Sequence, residues 1–384
     1  MFMNCRRVKK WHFLQLVSMC CVMSILMVCW DHVDHHVVSH VKSYSYRYLI
    51  NSYDFINKSL SVSPEEAARF GSFPYLLNNE DICKDKDVLL LLFVKSSPAN
   101  FKRRQAIRST WGNESYINDE LGVTVKVVFA MGAHPAVPSN NKLPQKELQK
   151  QLHREHINHG DLVQQNFLDT FHNLTVKLLL QFRWTHENCA HAHFLMTADD
   201  DVFIHLPNLV RYLQDLRRQN VRNLWVGHVH RGAPPIRRRD SKYYMSFDMY
   251  QWSSYPDYTA GAGYVVSGDV AAKIYQAMLS LNASMHIDDV FMGICAIAAG
   301  VSPQEHVYFS GEGKTPYHPC IYEKMITSHG HEGDIRYLWK VATAPQVEGI
   351  SSGLVGKLYC TAVKMTLLCK PYFTNTYSCM AAFT

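Results

Sequence analysis

Near-continuous apolar runs that alternate with helical patterns constrain the fold of this chain more than any other feature. The run DVLLLLFVKSS at 87–97 is bounded by polar and proline residues, which is typical of a strand covered on both faces. VTVKVVFAMG at 123–132 and HFLMTADDD at 193–201 repeat this pattern. Between them, FKRRQAIRSTW and DTFHNLTVKLLLQFRWTHE have helical spacing. The alternation predicts an α/β fold whose sheet is largely parallel.

Three consecutive carboxylates, Asp199, Asp200 and Asp201, end the third of these predicted strands. Adjacent like charges repel one another, so they are found where water solvates them or where they bind a cation. In sheets of this kind, ligands bind beyond the carboxyl ends of the strands. The position therefore favours a ligand site over the alternative, a solvated acidic turn.

The N-terminal region predicts a membrane anchor. Residues 11–30 contain no ionised side chain, over about the length that a helix needs to cross a bilayer. Basic residues precede this segment and acidic residues follow it, which predicts a cytoplasmic N-terminus and a lumenal remainder. A cleaved signal peptide is the alternative, but the apolar stretch is too long and no A-x-A site follows. We expect a cytoplasmic tail at 1–10, a transmembrane signal-anchor at 11–30, a lumenal stem at 31–85, a folded domain at 86–349 and a C-terminal extension at 350–384.

The composition fits a folded lumenal domain. Hydrophobic residues make up 47% of the chain and charged residues 19%, which does not resemble a disordered protein. Seven cysteines follow residue 30, where disulfides form readily, so at least one is free or pairs between chains. No C-x-x-C motif occurs, which disfavours structural zinc. Four N-x-[ST] sequons are candidate N-glycosylation sites, at Asn57, Asn113, Asn173 and Asn282.

Basic clusters do not indicate nucleic-acid binding here. The compartment excludes it, and the chain has no recognisable nucleic-acid-reading motif, so anionic small molecules or solvated loops remain. GEGKT at 311–315 looks like the end of a P-loop, but the motif requires a glycine where Tyr308 stands. Prolines also follow it, where the motif requires a helix, so we reject a P-loop.

Two further stretches carry glycines or carboxylates at informative positions. AGAGYVVSG at 260–268 lacks the third glycine of a dinucleotide fingerprint. Gly261 and Gly263 indicate either a backbone that approaches a ligand closely or tight strand packing. In IDDVFMG at 287–293, the acidic pair alone indicates a helix N-terminus, where carboxylates complement the dipole.

Five motifs in this order resemble the beta-1,3-galactosyltransferase and beta-1,3-N-acetylglucosaminyltransferase family. They are RRQAIRSTWG, DTFHNLTVK, FLMTADDDVFI, YPDYTAGAGYVVSG and IDDVFMG, and the resemblance covers about residues 85 to 340. It implies a GT-A-type, Rossmann-like domain, Golgi residence, a divalent metal such as Mn²⁺ and inversion at the transferred sugar. The expected donor is UDP-GlcNAc and the expected acceptor is a galactose-terminated glycolipid, lactosylceramide. A galactosyltransferase of the same family and a non-catalytic carbohydrate-binding protein are the alternatives.

The resemblance also implies roles for individual residues. Asp289 matches the position of the catalytic base, although relatives commonly have glutamate where this chain has Asp288. Asp201 and His329 match metal ligands; the alternative for His329 is an ordinary surface histidine. Residues expected to contact the donor are Arg103, Arg104, Arg108, Asp199, Asp200, Gly261 and Gly263.

The C-terminal extension has an apolar repeat at helical spacing. Its members are Leu354, Leu358, Ala362, Met365 and Leu368. LVGKLYCTAVKMTLLC, which holds them, is too short to span a bilayer. We expect a helix that packs on the domain through this stripe. The alternative is an interfacial helix that brings the site to a glycolipid.

Overall fold

The structure is a computed structural model, and it describes residues 15–22, 73–134, 143–281, 285–369 and 376–384. The chain divides into two compact units, 1–49 and 50–384. In the first unit residues 15–22 are helical, and the rest of the expected anchor at 11–30 lies outside the described residues. Within those ranges, no helix is both long enough and apolar enough to cross a membrane.

The second unit alternates strands and helices over most of its length. Its strands are β1 (Tyr75–Leu77), β2 (Val88–Lys95), β3 (Thr124–Ala133), β4 (Leu162–Leu168), β5 (Phe194–Asp199), β6 (Phe203–Ile204), β7 (Trp225–His230), β8 (Tyr258–Ser267), β9 (Gln304–Glu305) and β10 (Thr327–Ser328). Its α-helices are α1 (Phe101–Arg108), α2 (Glu114–Glu120), α3 (Leu143–His159), α4 (Leu174–Asn188), α5 (Leu206–Arg218), α6 (Gly268–Met278), α7 (Asp288–Ala298), α8 (Pro319–Tyr322), α9 (Ile335–Ala342) and α10 (Gly353–Leu368). Short 3₁₀ turns lie at Phe171–Asn173, Pro345–Val347 and Cys379–Ala382.

One mixed sheet organises the unit, in the order β1-β4-β3-β2-β5-β8-β7-β9. β4, β3, β2 and β5 run parallel, as the sequence predicted. β8 is antiparallel to both of its neighbours, β5 and β7, and β1 is antiparallel to β4. The prediction of a parallel-rich α/β sheet is therefore confirmed.

Alternate side chains of β2 enter two separate cores, which explains why every residue of the strand before Lys95 is apolar. Leu91 and Phe93 pack in the core that contains α4, α6 and α7. Leu90, Leu92 and Val94 pack in the core that contains α1, α5 and α9. Helices thus cover both faces of the sheet, and the carboxyl ends of β2 and β5 meet at one edge.

The folded domain begins before the expected boundary at residue 86. β1 pairs with β4, and Cys83 forms a disulfide with Cys189 at the end of α4. Residues 73–85 therefore belong to the domain and not to a stem. A three-residue strand is too short to show an apolar period, so the sequence pattern could not indicate it.

Six of the seven cysteines form three disulfides. The pairs are Cys83–Cys189, Cys320–Cys360 and Cys369–Cys379. Cys295 is buried and unpaired in α7, so the odd cysteine expected from the sequence is a core thiol.

The C-terminal helix α10 forms as predicted, but its apolar stripe faces solvent. Leu354, Leu358, Ala362 and Met365 are exposed, and of the five predicted members only Leu368 is buried. The helix instead packs through Cys360, which is disulfide-bonded, and through Lys364. Our expectation of the packing face was therefore wrong, because a covalent bond and a polar contact set the helix orientation.

Candidate functional site

The three aspartates after β5 have different surroundings. Asp199 is the last residue of the strand, and its Oδ1 lies 3.0 Å from Nζ of the buried Lys95. Asp200 is buried, whereas Asp201 is partly exposed. Burial raises the pKa of the Asp199 carboxyl, and the Lys95 ammonium counters this effect. The run is therefore a set of three separate carboxylates and not a solvated acidic turn.

The Asp200 carboxylate is bound from inside the protein. It accepts hydrogen bonds from the hydroxyl of Ser96 at 2.7 Å, Nδ2 of Asn100 at 2.8 Å and a guanidinium nitrogen of Arg103 at 2.9 Å. These donors come from the loop after β2 and the first turn of α1. Asp200 therefore fixes that loop, and a direct donor contact by its carboxylate stays a prediction.

Asp199, Asp201 and His329 form the cluster that could hold a metal ion. One ligand atom from each residue lies within 4.8 Å of the others. β10 pairs with β6 and brings His329, the next residue, beside the acidic run. Two carboxylates and an imidazole form a donor set that suits a divalent cation.

Unsatisfied polar atoms in this cluster support the fit of a cation. Oδ1 of Asp201 lies 3.4 Å from Nε2 of His329, yet the contact is too poorly aligned to be a hydrogen bond. Buried polar atoms normally have hydrogen-bond partners, so this arrangement suits an ion between the two side chains. Burial alone raises the pKa of Asp201, but His329 and Arg103 hold it below its ordinary value. The same contact raises the pKa of His329.

Asp288 and Asp289 open α7 and face the end of β2. Asp289 accepts a hydrogen bond from the backbone N–H of Val290 at 2.8 Å through Oδ1. Asp288 accepts one from Nζ of Lys95 at 2.9 Å. Burial, together with the neighbouring Asp288 carboxylate, raises the pKa of Asp289 to about 7, although the Lys95 ammonium opposes this rise. A carboxyl with this pKa is suited to exchange protons near neutral pH.

Lys95 joins the two acidic groups and was not predicted from the sequence. Its buried ammonium contacts Asp199 at 3.0 Å and Asp288 at 2.9 Å. Burial opposes the charge of this lysine, but the two carboxylates raise its pKa well above the ordinary value. The available signal was a single lysine at the end of an apolar strand. Its partners could be recognised only from the register, which pairs Lys95 with Asp199.

Gly261 and Gly263 lie in β8 and have different surroundings. A Cβ on Gly261 would stand 3.6 Å from Nζ of Lys95 and 3.7 Å from Oδ2 of Asp289. A Cβ on Gly263 would stand 3.3 Å from the Met196 methyl group. Gly261 therefore keeps space open beside the acidic groups, whereas Gly263 permits tight packing against β5.

Of the three arginines expected at the donor, the structure brings only Arg103 to the cluster. Arg104 is fully buried and makes two hydrogen bonds to the Glu155 carboxylate, at 2.7 and 2.8 Å. Arg108 binds the Asp161 carboxylate through two nitrogens and also pairs with Glu155. Guanidinium groups with these carboxylate partners are not free to bind a diphosphate. Donor contacts by Arg104 and Arg108 stay predictions, and the geometry gives both residues a structural role.

Two of the four sequons lie within the described residues. Asn113 caps α2, and its side-chain oxygen accepts a hydrogen bond from the Tyr116 N–H. Asn173 donates Nδ2 to the carbonyl of Leu168 at 2.8 Å. Asn57 and Asn282 lie outside the described residues.

Comparison with known proteins gives a consistent result. Residues 102–307 match the galactosyltransferase family. The chain is 87% identical to lactosylceramide 1,3-N-acetyl-beta-D-glucosaminyltransferase A of Danio rerio over 384 residues, which is 100% of both chains. It is 55% identical to lactosylceramide 1,3-N-acetyl-beta-D-glucosaminyltransferase of Homo sapiens over 383 residues, which is 100% of this chain and 99% of the human one.

Proposed function

This chain belongs to the galactosyltransferase family, as its motifs predicted, and on that premise we propose that it is a beta-1,3-N-acetylglucosaminyltransferase. It transfers GlcNAc from UDP-GlcNAc to the 3-hydroxyl of the terminal galactose of lactosylceramide, with inversion at the sugar. The activity for which its relatives are named supports the transferred sugar and the acceptor. A parallel-rich sheet with an acidic cluster at the end of β5 supports a GT-A-type domain.

Asp201, His329 and Asp199 would hold the divalent metal, with Mn²⁺ as the proposed ion. When bound, it supplies positive charge that stabilises the diphosphate of the departing UDP. Arg103 pairs with Asp200, which lies between Asp199 and Asp201 in sequence, and with Glu332, and these contacts orient its guanidinium. Arg103 differs from Arg104 and Arg108 because its side chain is 26% exposed and its partner Glu332 is at the surface, whereas the other two bind a buried carboxylate. We therefore assign Arg103 to the donor phosphates, whose oxygens a guanidinium binds in a fixed geometry.

Asp289 acts as the general base in this proposal. It takes the proton from the acceptor 3-hydroxyl while that oxygen attacks the anomeric carbon of GlcNAc. The bond from this carbon to the UDP oxygen breaks on the opposite face, and the electron pair leaves with UDP. One displacement with no enzyme-bound sugar gives inversion. Gly261 lacks a side chain beside Asp289, which leaves room for a sugar.

The observation that carries the proposal is the contact of one buried lysine with both halves of the site. Lys95 bonds to Asp199 of the metal cluster and to Asp288 beside the base. Both contacts lie within 3.0 Å, so the metal-binding and base-bearing ends are fixed with respect to each other. A displacement reaction requires its leaving-group and nucleophile sites in this fixed relation.

A transfer assay with the full-length chain in detergent tests the reaction. UDP-GlcNAc and UDP-galactose are offered separately with lactosylceramide, with Mn²⁺ or with a chelator. We expect Mn²⁺-dependent GlcNAc transfer that Asp289→Asn reduces by at least about 10³-fold. Asp81→Asn, a substitution at an exposed aspartate, is the matched control and should transfer normally.

The outcomes separate the candidate activities. Galactose transfer would replace the proposed donor with that of a galactosyltransferase. Absence of transfer from both donors, with folded protein, would favour the non-catalytic alternative. Retention of GlcNAc transfer by Asp289→Asn would remove Asp289 as the base.

The proposed location is the Golgi membrane, with a single type II anchor at 11–30 and the domain in the lumen. The three disulfides support an oxidising compartment. In sealed Golgi vesicles, added protease should remove an N-terminal epitope tag and leave a C-terminal tag intact. Cleavage of the C-terminal tag without detergent would contradict this topology.

A further inference from the structure

The helix α10 has an inverted distribution of polar and apolar side chains. Leu354 is 75% exposed, Val355 81% and Leu358 63%. On the opposite side, Lys364 is buried, and its ammonium lies 2.8 Å from the Tyr308 hydroxyl. Helices that cover a soluble core normally bury the apolar side and expose the charge. This helix therefore presents an apolar surface that the described domain does not cover.

Covalent bonds hold the helix in this orientation. The Cys320–Cys360 disulfide joins its middle to α8, and the Cys369–Cys379 disulfide joins the residue after it to the last 3₁₀ turn. Lys364 also contacts the carbonyl of Thr384 at 3.2 Å. The helix cannot rotate its leucines inward without breaking these contacts. The exposed stripe is thus a built feature of the fold.

Further apolar side chains are exposed in the segment that the Cys369–Cys379 disulfide joins to α10. Met380 and Phe383, at the end of the chain, are 64% and 63% exposed. Tyr359 is half exposed, and its ring lies 6.2 Å from that of His318 at the start of α8. We call the exposed side chains of α10 together with Met380 and Phe383 the C-terminal apolar face.

The charges around this face indicate what covers it. Residues 349–384 contain no aspartate or glutamate, and of their three lysines Lys364 is buried, Lys370 lies outside the described residues and Lys357, between Leu354 and Leu358 in sequence, is exposed. Exposed leucines, an aromatic ring and an exposed lysine, with no acidic side chain in the helix, are typical of a helix that lies in the interface of a bilayer. A lysine can extend its ammonium to the headgroups while its stem stays among apolar groups.

The segment that α10 holds also carries part of the site. Cys320 is bonded to α10, and His329 of the metal cluster follows nine residues later in the same segment, after α8 and β10. We propose that the C-terminal apolar face docks on the bilayer in which the glycolipid acceptor is embedded, and that it holds the site at the height of the acceptor sugar. This inference rests on the proposed acceptor, because only a membrane lipid requires such docking.

The test compares one enzyme on two acceptors. Full-length protein is reconstituted in phosphatidylcholine vesicles that contain lactosylceramide, and a water-soluble lactoside is the second acceptor. We expect Leu354→Gln/Leu358→Gln to reduce transfer to embedded lactosylceramide by about tenfold or more, with transfer to the soluble lactoside unchanged. Both leucines are largely exposed, so their substitution leaves the core intact. Ile157→Gln, at a 70% exposed position of α3, is the matched control and should affect neither acceptor.

Equal activity of the variant and the wild type on both acceptors, or an equal loss on both, would overturn the docking. Transfer by the wild type to neither acceptor would overturn the proposed function instead. A readout independent of activity then decides the docking: the fluorescence added by Tyr359→Trp should be quenched by brominated phosphatidylcholine. The fluorescence added by Ile157→Trp should not be quenched. Failure of quenching at Tyr359→Trp, together with a dimer that the leucine substitutions dissociate, would assign the face to a second copy of the chain.

Discussion

The pKa of Asp289 should move in opposite directions when the two charges beside it are removed. Its carboxyl has a pKa of about 7, and a general base must be ionised. Activity should therefore fall as the pH falls through about 7. Lys95→Met removes the positive charge, which raises the pKa and moves this acid limb upward. Asp288→Asn removes the like charge, which lowers the pKa and moves the limb downward.

The geometry around Gly261 sets the magnitude. Nζ of Lys95 and Oδ2 of Asp289 each lie within 4 Å of one point, the position of a Cβ on that glycine. They are therefore separated by no more than about 7 Å, and at an effective dielectric constant of about 20 a unit charge there contributes about 2 kcal/mol. That energy corresponds to about 1.5 pKa units. Asp199 and Asp288 already neutralise part of the lysine charge, so we expect a shift of about one unit.

The assay is kcat/KM for GlcNAc transfer to the soluble lactoside as a function of pH, which reports the free enzyme. Wild type, Lys95→Met and Asp288→Asn are compared at one metal concentration, and thermal unfolding shows that each is folded. General damage to the site would lower the rate of both variants without shifting the acid limbs of their pH profiles in opposite directions. Shifts of both variants in the same direction, or a wild-type profile with no acid limb between about pH 6 and 8, would refute the reasoning.

Three further predictions concern the rest of the domain. Arg104→Met should lower the free energy of unfolding by about 3 to 5 kcal/mol in chemical denaturation, because it leaves the Glu155 carboxylate buried without its main partner; a change below about 1 kcal/mol would contradict the structural role. Gly261→Ala should keep the melting temperature and lose most activity, because the added methyl group occupies space at the base; normal kcat would exclude a sugar there. Mass spectrometry of the secreted domain should find a glycan on Asn113 and none on Asn173, whose side-chain nitrogen donates a hydrogen bond to the Leu168 carbonyl; the reverse pattern would be inconsistent with this contact.

The apolar strands could be predicted from sequence because a strand that is buried on both faces consists of consecutive apolar residues. β2, β3 and β5 were located in this way, and α10 was located by its period. The direction of β8 was not predictable, because strand orientation depends on connections across the sheet and not on local pattern. Likewise, an apolar period marks one side of a helix without stating what that side contacts, which is why the face of α10 was assigned wrongly.

The parts of the site that consist of carboxylates adjacent in sequence could be predicted. The parts that the fold brings together from distant elements could not. The run at 199–201 and the pair at 288–289 stand out by their adjacency. Lys95 does not stand out in the sequence, because its two carboxylate partners lie in different elements and more than 100 residues away. Arg104 was instead predicted to bind the donor because it belongs to a basic cluster in the sequence. Its partner in the structure is Glu155, a carboxylate about 50 residues away that the sequence pattern does not indicate.

The disulfide between Cys83 and Cys189 has a mechanical consequence. A pull on the chain from its N-terminal side enters the domain at β1, a strand of only three residues that pairs with β4. Four residues, 84–87, lie between Cys83, where the disulfide is attached, and Val88, the first residue of the central strand. Tension is therefore transferred to the end of α4 before it reaches β2. The strand that carries Lys95 stays unloaded while the outermost strand is peeled away.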